Sequence, residues 1–169
     1  GRPAGLLALL PLVLWSPQPP PPGGVRLHLL DVGQGLASVV RTHEHTLVYD
    51  TGARFSRRFD AGSAVVVPFL RARGVQRIDG LVLSHLDNDH AGGRRAVIER
   101  LRPATTWSSA PHGLERPARL CARGERWRWD GVVFRFLHPD PDDALTGNDA
   151  SCVLRIDAPG GSLLLPGDI

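Results

Sequence analysis

The stretch Ser84-His85-Leu86-Asp87-Asn88-Asp89-His90-Ala91-Gly92-Gly93 limits what this chain can fold into more than any other. His85, Asp87, Asp89 and His90, all able to bind a cation, lie almost side by side in it. The apolar run Leu81-Val82-Leu83 before them reads as a short buried strand. Arg94–Leu101, after a Gly-Gly pair that lets the backbone turn tightly, has helical spacing. The motif is therefore a strand-to-helix turn. Period two along an extended chain would put His85, Asp87 and Asp89 on one side, with the turn bringing His90 round to a second position. Imidazole suits transition metals and carboxylates suit harder ions, so the mixture points to a transition metal or Mn2+. A merely solvated polar loop is the plain alternative. Four ligands at this spacing, bounded by an apolar strand and Gly-Gly, weigh against it.

The rest of the chain reads as short strands with polar residues at their ends. Val25–Leu30, Ala37–Arg41 and Thr46–Tyr49 have strand character, with Asp31-Val32-Gly33-Gln34-Gly35 as a turn. His43-Glu44-His45 fits an exposed hairpin turn better than a metal site. Asp50 ends a strand, in a functional role or as an acceptor for turn N–H groups. Ala64–Arg73 is close to helical spacing despite Pro68, and Gly74 suits its C-cap. Arg126-Trp127-Arg128-Trp129-Asp130-Gly131 followed by Val132–Leu137 predicts a hairpin. Its Arg/Trp alternation fits a nucleic-acid surface or simply one wet face and one core face. Cys152–Asp157 and Ser162–Leu165 are further strands, the second ending in Pro166-Gly167-Asp168. Strands interspersed with about two helices predict a layered α/β fold.

Composition narrows the setting. With 169 residues and 42% hydrophobic content, the chain has a domain's worth of core. It contains no Met, from which we expect it to be a piece of a longer protein. All 20 basic residues are Arg, which suits phosphate contacts, but a net charge of +3 alone assigns no nucleic-acid partner. Cys121 and Cys152 form no metal-binding spacing and no disulfide framework. Cys152 reads as a buried small side chain, and a disulfide between the two is not the expectation. The apolar run Gly5–Trp15 is shorter than the about 20 residues that span a bilayer. We expect 1–15 to be the end of a membrane segment, 16–24 a Pro/Gly linker stiffened by four consecutive Pro, and 25–169 an incomplete folded domain.

Three separated strand ends, at Asp50, at His85-Leu86-Asp87-Asn88-Asp89-His90 and at Gly167-Asp168, together resemble the metallo-β-lactamase superfamily. That resemblance implies an αββα sandwich with a dinuclear metal site, here with Asp87 in place of the signature's second His. Together with Asp31-Val32-Gly33-Gln34-Gly35 and Asn148-Asp149-Ala150-Ser151-Cys152-Val153-Leu154, the chain is similar over about 25–169 to the C-terminal domain of the ComEC family of DNA-uptake channels. The resemblance implies that His85 and Asp87 bind a first metal, that Asp89 and His90 bind a second, and that Asp168 bridges them. Asp50 would orient the loop without ligating. Asn148, Asp149 or Ser151 would support the site where the superfamily has a separate His. Leu36 stands where many relatives carry an acidic residue, and a last His is expected beyond Ile169.

By resemblance, two divalent ions (Mn2+ or Zn2+, with Mg2+ a third option) would serve phosphodiester hydrolysis of one DNA strand during uptake. Asp89 would orient the nucleophile as the catalytic residue, and Arg54, Arg57, Arg58, Arg94 and Arg95 would contact phosphates. The partners implied are DNA, the transmembrane channel part of the same polypeptide and other competence proteins. The location implied is the bacterial inner membrane, with this domain on the periplasmic or extracellular side. Two alternatives stand beside this: another hydrolase of the same fold, and a non-catalytic, metal-stabilised DNA-binding or docking domain.

Overall fold

Strand β4 (Gly80–Leu83) is buried on both faces, and that double burial sets the architecture. In the computed structural model, which describes residues 18–169, Leu81 and Leu83 point one way from β4 and Val82 the other. Leu81 and Leu83 join Val39 and Val48 against Val66, Val67, Leu70, Val97 and Leu101 of the helices. Val82 joins Leu47, Tyr49 and Trp107 against Phe134, Phe136, Leu154 and Ile156 of a second sheet. The molecule is thus a helical layer on one sheet, with a second sheet packed on the other face. No helix covers the outer face of the second sheet among the described residues. The expected membrane segment and the start of the linker lie outside the described residues. Within them, no helix is long and apolar enough to cross a membrane.

The first sheet has the order β1 (Arg26–Leu29), β2 (Ser38–Arg41), β3 (Thr46–Tyr49), β4, β5 (Thr105–Ser108) and β6 (Arg119–Leu120). Its first three strands are antiparallel, and β3 through β6 run parallel. The second sheet is antiparallel, in the order β10 (Gly161–Leu165), β9 (Val153–Ala158), β8 (Val132–His138), β7 (Arg126–Trp129). Parallel neighbours need crossovers. Between β3 and β4 the crossover is a π-helical turn, Gly62–Val66, running into α1 (Val67–Arg71). Pro68 is accommodated because it sits in the first turn of α1, where its missing N–H leaves no bond unmade. Between β4 and β5 the crossover is α2 (Asn88–Ala91) and α3 (Arg94–Leu101). Truncating Leu81, which is fully buried, would cost about 2–5 kcal/mol through lost burial and a cavity.

Three expectations need correction. Gly92 and Gly93 have ordinary right-handed φ of −60° and −85°. They are required by close approach: a Cβ on Gly92 would meet Arg54 N and Asn88 O, and one on Gly93 would meet Gly62 N and Thr51 O. His45 is not simply a solvated turn residue. Its Nδ1–H donates to Asp130 Oδ2 (3.0 Å), and its ring stacks on Trp129 at 5.0 Å. Cys121 and Cys152, both fully buried, form a disulfide with a Cα–Cα separation of 5.7 Å. The bridge ties the loop before β9 to the residue after β6, joining the two sheets. The Arg/Trp alternation of β7 resolves as a core face and a wet face. Trp127 stacks on Trp107 (4.5 Å) and Phe134 (5.1 Å), while Arg126 and Arg128 are exposed.

Candidate metal centre

The site forms where the parallel strands β3 and β4 end side by side, the usual place for a ligand crevice in such sheets. Asp50 is the first residue after β3. It adopts a left-handed φ of 59°, which a short polar side chain tolerates, and is fully buried. Its carboxylate accepts three hydrogen bonds. Ser84 N–H donates to Oδ1 (2.7 Å), the Ser84 hydroxyl donates to Oδ2 (2.7 Å), and His90 Nδ1–H donates to Oδ2 (2.8 Å). Thr51 adds two more ties, from its N–H (2.7 Å) and hydroxyl (3.0 Å) to the His90 carbonyl. Asp50-Thr51 therefore fixes the loop that carries the two histidines.

Burial raises the Asp50 pKa, and the bonds from His90 and Ser84 do not fully offset it. At His90, burial works against the charged ring, but the bond and charge of Asp50, aided by Asp168 and Asp89, raise the pKa overall. Both shifts hold one proton on the shared bond. Asp50 acts as acceptor towards Ser84 from both oxygens, so that proton belongs on His90 Nδ1.

His85 is oriented differently. Its Nδ1 lies 3.1 Å from Ser84 Oγ and 3.3 Å from Ser151 Oγ, and the Ser84 hydroxyl proton is already committed to Asp50. The oxygen lone pairs are left to accept from His85 Nδ1–H. Both imidazoles thus use Nδ1 for support and turn Nε2 towards one spot, their ring centroids 4.2 Å apart. Ligating histidines are held in this way. His85 Nε2 is buried and has no hydrogen-bond partner. Asp87 Oδ2 is 3.7 Å from it, Asp168 Oδ1 is 3.1 Å from His90 Nε2, and Asp89 Oδ2 is 3.8 Å from the same atom. One ligand atom each from His85, His90 and Asp168 lies within 4.8 Å of the others. An orphaned buried nitrogen facing a knot of carboxylates fits a divalent cation, which would give His85 Nε2 the partner it lacks.

Of the five sequence-predicted ligands, His85, His90 and Asp168 cluster here, with Asp87 and Asp89 beside them, and by a route that differs from the expected one. The chain is no longer extended at Asp89: α2 begins at Asn88, and the helical turn carries Asp89 to His90's side while Asp87 stays beside His85. Asp168 arrives after β10 on a tight turn. Gly167 has φ 66°, and a Cβ there would lie 2.7 Å from Ser151 Cβ, so only Gly brings Asp168 this close. Ser151 is buried against His85 and accepts from Asp168 N–H (3.3 Å). Asn148 and Asp149 sit exposed on a 3-10 turn, Gly147–Ala150, and bring no side chain to the cluster. Ser84 is the residue sequence reading passed over. Its signal was its place, directly before His85 at the end of a buried strand. Tyr49 was passed over too: its hydroxyl donates to the carbonyls of Cys152 (2.7 Å) and Leu165 (3.1 Å), tying β3 to both second-sheet segments that feed the site.

The arginines flank the centre. Arg54, Arg57, Arg58 and Arg95 line one open concavity beside Gly92, and Arg54, Arg94 and Arg95 line a neighbouring one with Arg116. Arg95 is paired with Glu99 (2.8 Å) and Arg94 bonds the Ala91 carbonyl (3.1 Å). Arg54, Arg57 and Arg58 form no ion pair among the described residues.

The chain is 40% identical over 168 residues to "Competence protein ComA" of Neisseria gonorrhoeae, covering 99% of this chain and 23% of that protein. It is 35% identical over 141 residues to "Recombination protein 2" of Haemophilus influenzae, covering 82% of this chain and 18% of that protein. The chain thus spans about a fifth of the length of these relatives. Among solved structures, a B3 metallo-beta-lactamase with an active-site glutamic acid shares the fold, with a TM-score of 0.62 at 18% identity, over 96% of this chain and 66% of that one. The Rm3 metallo-beta-lactamase gives a TM-score of 0.58 at 16% identity, over 88% of this chain and 60% of that one. Residues 30–169 match the family described as the metallo-beta-lactamase superfamily, and the chain belongs to that superfamily.

Proposed function

We propose that this chain is the metal-dependent phosphodiesterase domain of a DNA-uptake protein, hydrolysing DNA during competence. The observation that carries the reading is the convergence of His85 Nε2 and His90 Nε2, each held from behind, on the carboxylates of Asp87, Asp89 and Asp168. The superfamily is one of metal-dependent hydrolases that usually hold divalent metals, often zinc. The competence name of one relative and the recombination name of another support the DNA context.

In this reading His85 and Asp87 would hold one ion and Asp89 and His90 a second, with Asp168 available to both. Mn2+ or Zn2+ is favoured by the His and carboxylate mixture, with Mg2+ open. Bound divalent metal supplies Lewis acidity towards the phosphate and an acidified water. The chain's own residues do the rest. Asp50 and Ser84 keep the ring nitrogens aimed. Asp89, partly exposed at the rim, orients the attacking water and takes its proton. Arg54, Arg57, Arg58, Arg94 and Arg95 draw the phosphate backbone to the site. The domain occupies 25–169, tethered through the linker to a membrane channel formed by the rest of the polypeptide, on the outer side of the bacterial inner membrane. A buried disulfide supports that side, because disulfides persist in oxidising compartments.

The test removes metal from the intact protein, restores Mn2+, Zn2+ or Mg2+ singly, and follows end-labelled single- and double-stranded DNA. Cleavage restored by one metal and lost in Asp168→Ala is the expected result. No cleavage with any metal, alongside a metal-dependent rise in Tm, would replace the reading with a binding or docking domain. Turnover of small esters without DNA cleavage would make it another hydrolase of the fold.

A further inference from the structure

The loop between Arg54 and Asp60 presents aromatic surface that the phosphodiesterase reading does not use. Phe55 and Phe59 are each 53% exposed, and their rings lie 5.4 Å apart at 33°. Burying either ring would be worth about 1.5–3 kcal/mol, so leaving two neighbours in water is a cost that no contact within the protein offsets. The loop is not loose. An antiparallel bridge between Arg54 and Asp60 closes it, and Phe59 O accepts from the N–H groups of Phe55 (3.0 Å) and Ser56 (3.1 Å). Every residue of 54–59 is exposed.

The loop is also locked to the metal centre. Asn88, the first residue of α2, accepts from Arg54 N–H and donates to Arg54 O, both at 3.2 Å. Asp89 and His90 follow directly on that helix. Phe55 lines an open concavity with Gln34, Ala53, Asn88 and Asp89, which runs from Phe55 to Asp89 at the candidate metal centre. Arg54, Arg57 and Arg58 interleave with the two rings and are exposed. Exposed aromatic faces give nucleobases a surface to stack on, and interleaved arginines match a phosphate backbone. Together they bind single-stranded nucleic acid, whose bases are free to stack, better than a duplex, whose bases are not.

We infer that Phe55 and Phe59 form a base-stacking platform that seats single-stranded nucleic acid beside the metal centre, with Arg57 and Arg58 holding its phosphates. This rests on the phosphodiesterase reading and adds the form of the substrate. A loop of Phe and Arg could also touch an anionic lipid surface. The Asn88 clamp and the concavity that Phe55 shares with Asp89 favour the nucleic acid, because they set the loop beside the site.

The experiment titrates a fluorescein-labelled oligo(dT), and a duplex of the same length, with the intact protein by fluorescence anisotropy. Phe55→Ala/Phe59→Ala should weaken oligo(dT) binding about tenfold or more and lower the ratio of single-strand to duplex affinity. Phe55→Trp/Phe59→Trp should hold or raise that ratio. Arg57→Ala/Arg58→Ala should weaken both ligands and flatten the dependence of log affinity on log salt for oligo(dT) by about 0.7 per lost phosphate contact. An unchanged oligo(dT) affinity in the Phe55→Ala/Phe59→Ala protein, with an unchanged Tm, would overturn the inference. So would an equal loss for duplex, or a loss confined to phosphatidylglycerol vesicles. Turnover of bis-p-nitrophenyl phosphate by the unsubstituted protein reads the hydrolase assignment separately. Its absence with every metal fails that assignment and leaves the affinity ratio to decide the platform.

Discussion

Two carboxylates at opposite ends of β3 are built alike and do different work. Asp50 follows the strand with φ 59°, and Asp130 sits in the β7–β8 turn with φ 51°, against the residues that precede the strand. Each gathers three hydrogen bonds, from a hydroxyl, a backbone N–H and a histidine Nδ1. Asp50 takes them from Ser84, which gives two, and from His90. Asp130 takes them from Thr42 (2.6 Å), Glu44 N–H (2.8 Å) and His45 (3.0 Å). Burial dominates at Asp50, which is fully enclosed, and its pKa is raised. At Asp130 burial also acts upward, but the three bonds outweigh it and hold the carboxyl far below its usual range. The decisive difference lies beyond the histidine. His90 Nε2 looks onto Asp168 and Asp89, whereas His45 lays its ring flat on Trp129. An Asp–His pair is therefore a lock in either place, and becomes part of a site only where the second nitrogen faces more ligands.

Removing Asp50 should break this comparison most severely. Asp50→Ala leaves His90 Nδ1 and both Ser84 donors unpaired in a closed space. We expect a loss of about 3–5 kcal/mol, read by chemical denaturation. Metal affinity should fall about 10- to 100-fold, read by calorimetric titration, because the support behind a ligand is gone. Next in size is the disulfide beneath the same end. Its 31-residue separation predicts a loss of about 3–4 kcal/mol in Cys121→Ser/Cys152→Ser. Reductant should lower the unsubstituted protein to the same level and leave the variant unchanged. A variant as stable as its parent would mean that Tyr49 and the inter-sheet aromatics already hold the site end together.

The locking end should respond less and differently. Asp130→Asn removes a nearly enclosed acceptor that holds two turns together, and should cost about 2 kcal/mol while leaving metal affinity intact. The sign of its pH dependence follows from the depressed pKa. An unfolded Asp titrates near about 3.9, so the stabilisation is complete above that value and is lost as pH falls through the lower folded value. The difference in unfolding free energy between parent and Asp130→Asn should be constant near neutrality and shrink in acid below about pH 4. A difference that grew in acid would place the strain elsewhere.

Periodicity in the chain announced most of the scaffold. β4, α3 and the hairpin of β7 and β8 each carry their pattern within ten residues or so, and Asp130-Gly131 marks its own turn. The candidate ligands His85, Asp87, Asp89 and His90 lie together in one stretch, and Asp168 was named only through the family resemblance. What could not be read depends on contacts between distant segments. Cys121 meets Cys152 only because β6 pairs with β5 while β9 lies in the other sheet. β6 itself is two exposed residues, too short to leave a pattern. Asp89 was placed by strand period because nothing in Leu86-Asp87-Asn88 says that a helix starts before the Gly-Gly pair. Ser84 and Ser151 owe their roles to a hydroxyl's freedom to accept from one side while donating to another, which no spacing encodes.

Ser151 offers the finest cut of the comparison, because it touches one histidine and not the other. Its hydroxyl lies 3.3 Å from His85 Nδ1 and accepts at 3.3 Å from Asp168 N–H, both long for hydrogen bonds. His85 keeps Ser84 at 3.1 Å when Ser151 is lost, so its ring is still supported. Ser151→Ala should therefore cost only about 1 kcal/mol in stability. Its effect on metal should be smaller than that of Asp50→Ala, at the about tenfold end of the range for supporting groups. On the two-ion proposal, the loss should fall on the His85 site and leave the His90 site alone. A two-site calorimetric titration separates these outcomes: one weakened step beside one unchanged step assigns Ser151 to His85, and an equal loss in both steps would mean that the two histidines answer to a single ion.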